Sequence, residues 1–215
     1  PTRVFGLNND EFSSLEEQDP LPLCRYIDRK NHEDHFPPKH DQHLKVEGLP
    51  EDLNEALLSF YLTLAARLAR GQVGNTERPV HNSMLVHITR FNNVQDQIKN
   101  LLQEKVDEHR RLVEYNDGPF LDLLRDKWEN DFIPTTKEMG LEFEIKPSAW
   151  RQILKELPKA VKKILPVKAI NGSAKDTLDY STNSKGISVI CVGGEKLSRG
   201  LTLEGLSVSY FTRSA

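Results

Sequence analysis

Cysteine is nearly absent from this chain: Cys24 and Cys191 are the only two among 215 residues. That excludes a disulfide framework and points to a reducing, intracellular setting, with the cytoplasm as the expected compartment. No apolar run approaches the roughly 20 residues needed to cross a membrane, and no signal-peptide pattern opens the chain. A Gly-x-x-x-x-Gly-Lys-[Ser/Thr] loop is missing, and so is an acidic strand end suited to a metal. No Ser/His/Asp or Cys nucleophile arrangement stands out, and there is no internal repeat or low-complexity tract. A marked excess of one sign of charge is missing too, since the net value is −3, which argues against indiscriminate nucleic-acid binding.

What remains is ordinary globular composition, with 37% apolar and 28% charged residues. The charge is unevenly placed. Residues 1–60 hold 13 acidic and 6 basic side chains, a balance of −7, and the other 155 hold 19 and 23, a balance of +4. Between Lys146 and Lys168 seven basic residues accompany one acid. Such a stripe is either a phosphate footprint or, more commonly, a solvated helix face.

Residues 1–48 are polar, rich in Asn, Asp, His and Pro, and read as an irregular linking or wrapping segment. The remainder, 49–215, reads as one α/β domain. Leu49-Pro50-Glu51-Asp52 resembles a helix start. Leu53, Leu57, Phe60, Leu64 and Leu68 then repeat at helical spacing to about Arg70, with Gly71 and Gly74 as the stop. Met84 to Ile88 reads as a strand and Thr89 to Asn93 as a polar turn. Val94, Ile98, Leu101, Leu102, Val106 and Leu112 mark a long amphipathic helix. Phe120, Leu121, Leu124 and Trp128 continue the helical spacing, an extended piece is expected over Leu141–Ile145, and another helix over about 148–164. This mainly helical insertion, about 94–165, precedes three further strands, at 167–171, 187–192 and 206–211. Strands alternating with helices imply a mostly parallel sheet flanked by helices.

The densest signal is the stretch from Ile187 to Arg213. Ser188 to Val192 is apolar almost throughout, as in a strand buried on both faces. It runs into Gly193 and Gly194, where small residues permit close backbone approach to a ligand. Lys196, Ser198, Arg199, Gly200 and Thr202 follow. Free amides, hydroxyls and two cations at the end of a parallel strand suit phosphate; a tight turn with a structural Arg is the plainer alternative.

Arg199-Gly200 placed after Gly194 resembles motif V of superfamily two helicases. Gly194 stands where that motif has Thr, Glu195 takes the place of its first Asp, and Thr202 takes that of its last Asp. The fuller string Gly-Gly-x-x-Leu-Ser-Arg-Gly-Leu-Thr-Leu-Glu-Gly-Leu, from Gly193 to Leu206, is similar to the Z-one domain family. Ser209-Tyr210-Phe211, Arg213, the Ser83–His87 strand and the Leu49–Leu62 segment fit the same family. The resemblance implies the second, RecA-like lobe of a helicase-type ATPase of bacterial restriction, phage defence or repair, a family often labelled putative endonuclease. It implies that Gly193, Gly194, Lys196, Ser198, Arg199, Gly200 and Thr202 contact nucleotide or nucleic acid. By the same analogy Thr89 and Arg90 stand in motif IV and touch a nucleic-acid strand, DNA foremost. ATP and Mg²⁺ are then expected in the full-length protein, gripped by a preceding ATPase lobe. No cofactor is expected on this stretch alone, nor any ATP turnover by it.

Two other constellations carry possible chemistry. His32, His35, His40 and His43 have spacings that zinc can use, although a solvated loop is the plainer reading. Glu144 and Lys146 on the expected extended piece, with Asp131 upstream, match the carboxylate–Lys sets of metal-dependent nucleases. Trp128 and Trp150 read as core, and Cys191 as buried and inert.

Overall fold

The computed structural model describes residues 23–25, 27–73, 80–143, 145–170, 178, 180, 183, 185–193 and 203–212, with backbone alone over 141–143. The first regular helix, α1, spans Glu51–Ala69. Pro50 precedes it in an extended conformation, and Glu51 and Asp52 sit against its positive dipole end. Leu53, Leu57, Phe60 and Leu64 are fully buried, each stabilising the fold by roughly 1.5–3 kcal/mol relative to exposure. The helix ends in a Schellman motif, with Gly71 N–H donating to Leu68 O and Gln72 N–H to Arg67 O, both at 2.9 Å.

Strand β1 (Asn82–His87) follows, then α2 (Asn92–Glu114), α3 (Gly118–Lys127), a π-helical turn (Trp128–Phe132), α4 (Ile133–Phe143) and α5 (Trp150–Lys163). Asp117 caps α3 by accepting the Phe120 N–H at 3.0 Å. Strands β2 (Lys168–Ile170), β3 (Ser188–Gly193) and β4 (Leu206–Phe211) complete the described elements. The four strands form one sheet in the order β2-β3-β1-β4, and every pairing is parallel. Met84 lies opposite Ile190 and, after an irregularity beside Ser83, opposite Val208.

Period-two alternation divides the strands between two cores. Met84, Val86, Ile190, Val192 and Tyr210 join α1, α2 and α5 in the main core. Val189, Cys191 and Ile170 face the other way and pack with Leu178 and Ile187. Among the described residues no helix covers that second face. The parallel sheet with flanking helices agrees with the fold class expected from the alternation of elements. No described helix is long and apolar enough to cross a membrane.

The stretch about 94–165 is the connection from β1 to β2, and its helices α2 and α5 belong to the layer over the sheet. One expectation fails here. Leu141–Ile145 is not an extended strand, because α4 runs through Phe143. Alternating Leu141, Phe143 and Ile145 mimics a strand period, but α4 propagates from Ile133 as the continuation of α3 and the π-turn, each added residue gaining one helical hydrogen bond. Trp128 is completely buried, donates its indole N–H to Ser148 O at 3.1 Å and stacks on Phe132. Trp150 packs against the same core. Arg151, Lys155, Lys159 and Lys162 of the basic stripe lie on the solvent side of α5, opposite buried Ile153, Leu157, Ala160 and Val161. Lys159 pairs there with Glu156 and Lys162 with Glu114.

Candidate functional site

In a parallel sheet every strand ends on one rim, and ligands of open α/β sheets bind beyond that rim. Here the rim carries His87, Gly193, Ile170 and Phe211. The central strand β1 leaves through buried Ile88 and Thr89 into exposed Arg90. Thr89 is tightly held. Its Oγ1 accepts the Phe91 N–H at 3.2 Å and lies 2.7 Å from His40 Nε2. Its carbonyl accepts from the Gln95 side chain at 2.9 Å. The Arg90 guanidinium sits over the Phe91 ring, 5.1 Å from its centroid. At the end of β1, His87 stacks on Phe211 with centroids 4.4 Å apart, and Thr212 N–H donates to His87 O at 3.2 Å.

The polar segment before α1 folds over this rim. A 3₁₀ turn at Arg29–Asn31, capped by Asp28, leads to Phe36, which is only 4% exposed and anchors the segment in the main core. Gln97 of α2 fixes its far end, accepting from Val46 N–H and donating to Leu44 O, while Asn93 donates to Gln42 O. Between segment and rim lies a cavity of about 210 Å³, bordered by Arg29, His32, Glu33, His40, Thr89 and Arg90 among others. Its charged border holds two arginines against one carboxylate, so the site favours anions.

The structure thus brings Thr89 and Arg90 to the rim together with Gly193. Gly194, Lys196, Ser198, Arg199, Gly200 and Thr202 lie outside the described residues. The described neighbours of that stretch stand at opposite ends of the sheet. Gly193 closes β3 on the rim, whereas Glu204 and Gly205 contact the beginning of β1 through Ser83. Around that beginning a polar group is locked together. His81 Nδ1 accepts the Ile187 N–H at 3.2 Å, its Nε2 lies 3.6 Å from Glu204, and Arg67 donates to His81 O and Asn82 Oδ1. Lying at the amino ends of the strands, this group serves strand alignment.

The four histidines of the polar segment do not converge. His40 reaches Thr89, His43 contacts Gln42, and His32 is buried against the cavity. Among the described residues no group of three or more His, Cys, Asp or Glu is placed to hold a metal. Asp131 pairs with Lys127 and Arg25, in a groove of about 1000 Å³ beside β4 that also includes Asp52 and Phe211. Lys146 is exposed and lies on none of the described strands, and Glu144 lies outside the described residues. Burial pushes the Cys191 thiol up to about 12, so it stays protonated and unreactive.

Spacing alone did not identify Arg29, His32 and His40 as rim residues. The only signal was the run of histidines, whose spacing zinc can use but whose plainer reading was a solvated loop.

The sequence profile of the Z1 domain family matches residues 52–215. No curated protein matches, and neither does any solved structure. The match spans well over half of the chain, which therefore belongs to the Z1 domain family.

Proposed function

We propose that this Z1 domain is the second, RecA-like lobe of a helicase-like, nucleic-acid-dependent ATPase of bacterial DNA restriction, defence or repair. It meets the nucleic-acid backbone along the carboxyl rim of its sheet. The observation that carries this reading is the exit of β1, where a buried hydroxyl at Thr89 and an exposed cation at Arg90 follow the central strand. Phosphate backbones are bound by guanidinium donors such as Arg90, and by a hydroxyl such as that of Thr89 once its hydrogen is freed from His40. Lys196, Ser198, Arg199 and Thr202, between Gly193 and β4, add the cations and hydroxyls of the motif V resemblance, shaped by Gly194 and Gly200.

ATP and Mg²⁺ do not fit this chain by itself. Its sequence has no phosphate-gripping Gly-Lys loop, and no described strand end bears a carboxylate. The nucleotide is therefore assigned to a preceding lobe of the full-length protein, and no step of hydrolysis to the residues here.

Fluorescence anisotropy with single-stranded oligodeoxynucleotides tests the reading. Arg90→Ala and Arg199→Ala should each weaken binding about 5- to 20-fold, and each should flatten the salt dependence by about one ion. Circular dichroism should remain unchanged. Unaltered affinity and salt slope in both variants would contradict the assignment; a preference for RNA over DNA would change the substrate but not the interface.

A further inference from the structure

We propose that the cavity between the 29–40 segment and the Thr89–Phe91 loop takes a single phosphate-type oxyanion, and that its occupancy goes with a proton on His40. This deepens the reading above by naming what Thr89 binds. Arg29, His32 and His40 precede the 52–215 stretch that matches the family, so the pocket joins that domain to the segment before it.

The first support is a buried donor or acceptor without a partner. His32 is 8% exposed and borders the cavity, yet its Nδ1 makes no hydrogen bond. An unsatisfied buried polar atom is costly, and a turn of the ring that brings an imidazole N–H to an oxyanion in the cavity would relieve the cost.

The second is the direction of the His40–Thr89 hydrogen bond. His40 Nδ1 lies 2.6 Å from Pro37 O, and a carbonyl only accepts, so Nδ1 carries hydrogen. In the neutral ring Nε2 is then a lone pair, and the Thr89 hydroxyl 2.7 Å away donates to it. Thr89 Oγ1 also accepts the Phe91 N–H. Its one hydrogen is therefore engaged by His40, and Thr89 has none for a ligand. When His40 gains a proton, Nε2–H becomes the donor to Oγ1. The Thr89 hydrogen is released toward the cavity, and a positive charge joins the border. The other charged groups on that border are Arg29 and Arg90, which oppose the added proton, and Glu33, which favours it; His32 and the Phe91 ring complete the surroundings. A bound anion reverses the opposition of the arginines, so anion and proton bind together.

The probe is inorganic sulfate, whose charge is constant across the histidine range, titrated calorimetrically into the full chain. Measurements at about pH 6 and about pH 8, in buffers of different ionisation heat, count the protons taken up. Saturable binding at least about 5-fold tighter at the lower pH, with on the order of half to one proton taken up, is expected. Arg29→Ala, at an exposed position, should weaken binding at both pH values. His40→Gln, whose side-chain amide donates to Thr89 at any pH, should remove both the pH dependence and the proton uptake. No saturable sulfate binding would overturn the proposal, as would His40→Gln retaining the pH profile, or Arg29→Ala changing nothing.

Oligothymidylate lacking terminal phosphate, run as a competitor, separates the sources of the oxyanion. Displacement of sulfate assigns the pocket to backbone phosphodiesters, and coexistence assigns it to a free or terminal phosphate. If sulfate fails while Arg90→Ala still weakens DNA binding, the pocket is wrong and the backbone reading stands. If sulfate binds as described and DNA does not, the pocket stands and the reading falls.

Discussion

Replacing Gly205 with alanine should lower stability by about 3 kcal/mol or more, measured by urea denaturation. Gly205 has φ +66°, and an added Cβ would lie 2.0 Å from His81 O and 2.5 Å from His81 C. Both are backbone atoms at the start of the central strand, so relief requires moving β1 itself. Gly205 O also accepts the Ser83 N–H at 2.9 Å, and shifting one partner breaks that bond as well. Gly71 is the control: its φ is +68°, but nothing lies within 4 Å of an added Cβ. Gly71→Ala should therefore cost only about 1 kcal/mol, the backbone cost alone. Equal losses in the two variants would remove the steric argument. The same comparison assigns a role within the family string, since Gly205 packs against the start of β1.

The second large effect is a dependence on acid. His109 of α2 is 4% exposed, with its Nδ1 3.3 Å from the Tyr61 hydroxyl and its ring 4.7 Å from Phe120. Burial, aided by the Lys105 charge and opposed by Glu108, pushes its pKa down to about 4. Above about pH 6.5, where unfolded histidine is neutral too, the group leaves stability unchanged with pH. Between about 6.5 and about 4 the unfolded chain holds the proton and the folded chain does not. Stability then falls by up to about 1.4 kcal/mol per pH unit as pH falls, levelling off below about 4. Over the whole window the loss is on the order of 3 kcal/mol. Carboxylates titrate in part of the same range, so the readout is the difference between the protein and His109→Gln, which keeps polarity without a charge. A difference curve flat from about pH 6.5 to about pH 4 would contradict the neutral, buried assignment.

The elements were legible because their periods were clean. The 3.6-residue repeat from Leu53 to Leu68 marked α1, and the apolar run Ser188–Val192 marked a strand buried on both faces. Gly71 marked a helix end through the backbone geometry that the Schellman motif requires. Leu141–Ile145 was misread because a short alternation of large apolar residues satisfies either period, and the preceding helix decides which one prevails. The rim was half legible. Thr89 and Arg90 followed from their place after a strand, but the roof over them came from a segment with no periodicity. Its position depends on one buried ring, Phe36, and on side-chain bonds from Gln97 and Asn93 that cross about 50 positions of sequence. Contacts of that kind leave no pattern along the chain. The His-rich run read most plainly as a solvated loop, whereas His32 is buried and His40 orients a hydroxyl.

The central claim is that nucleic acid meets this domain on the carboxyl rim. Photo-crosslinking of a single-stranded oligonucleotide containing 4-thiothymidine, followed by peptide mapping, tests it most directly. Crosslinks should fall on peptides containing Thr89–Phe91 and Gly194–Thr202, and they should diminish in Arg90→Ala. Crosslinks confined to the amino-end group around His81 and Glu204, or to the solvent face of α5, would contradict it.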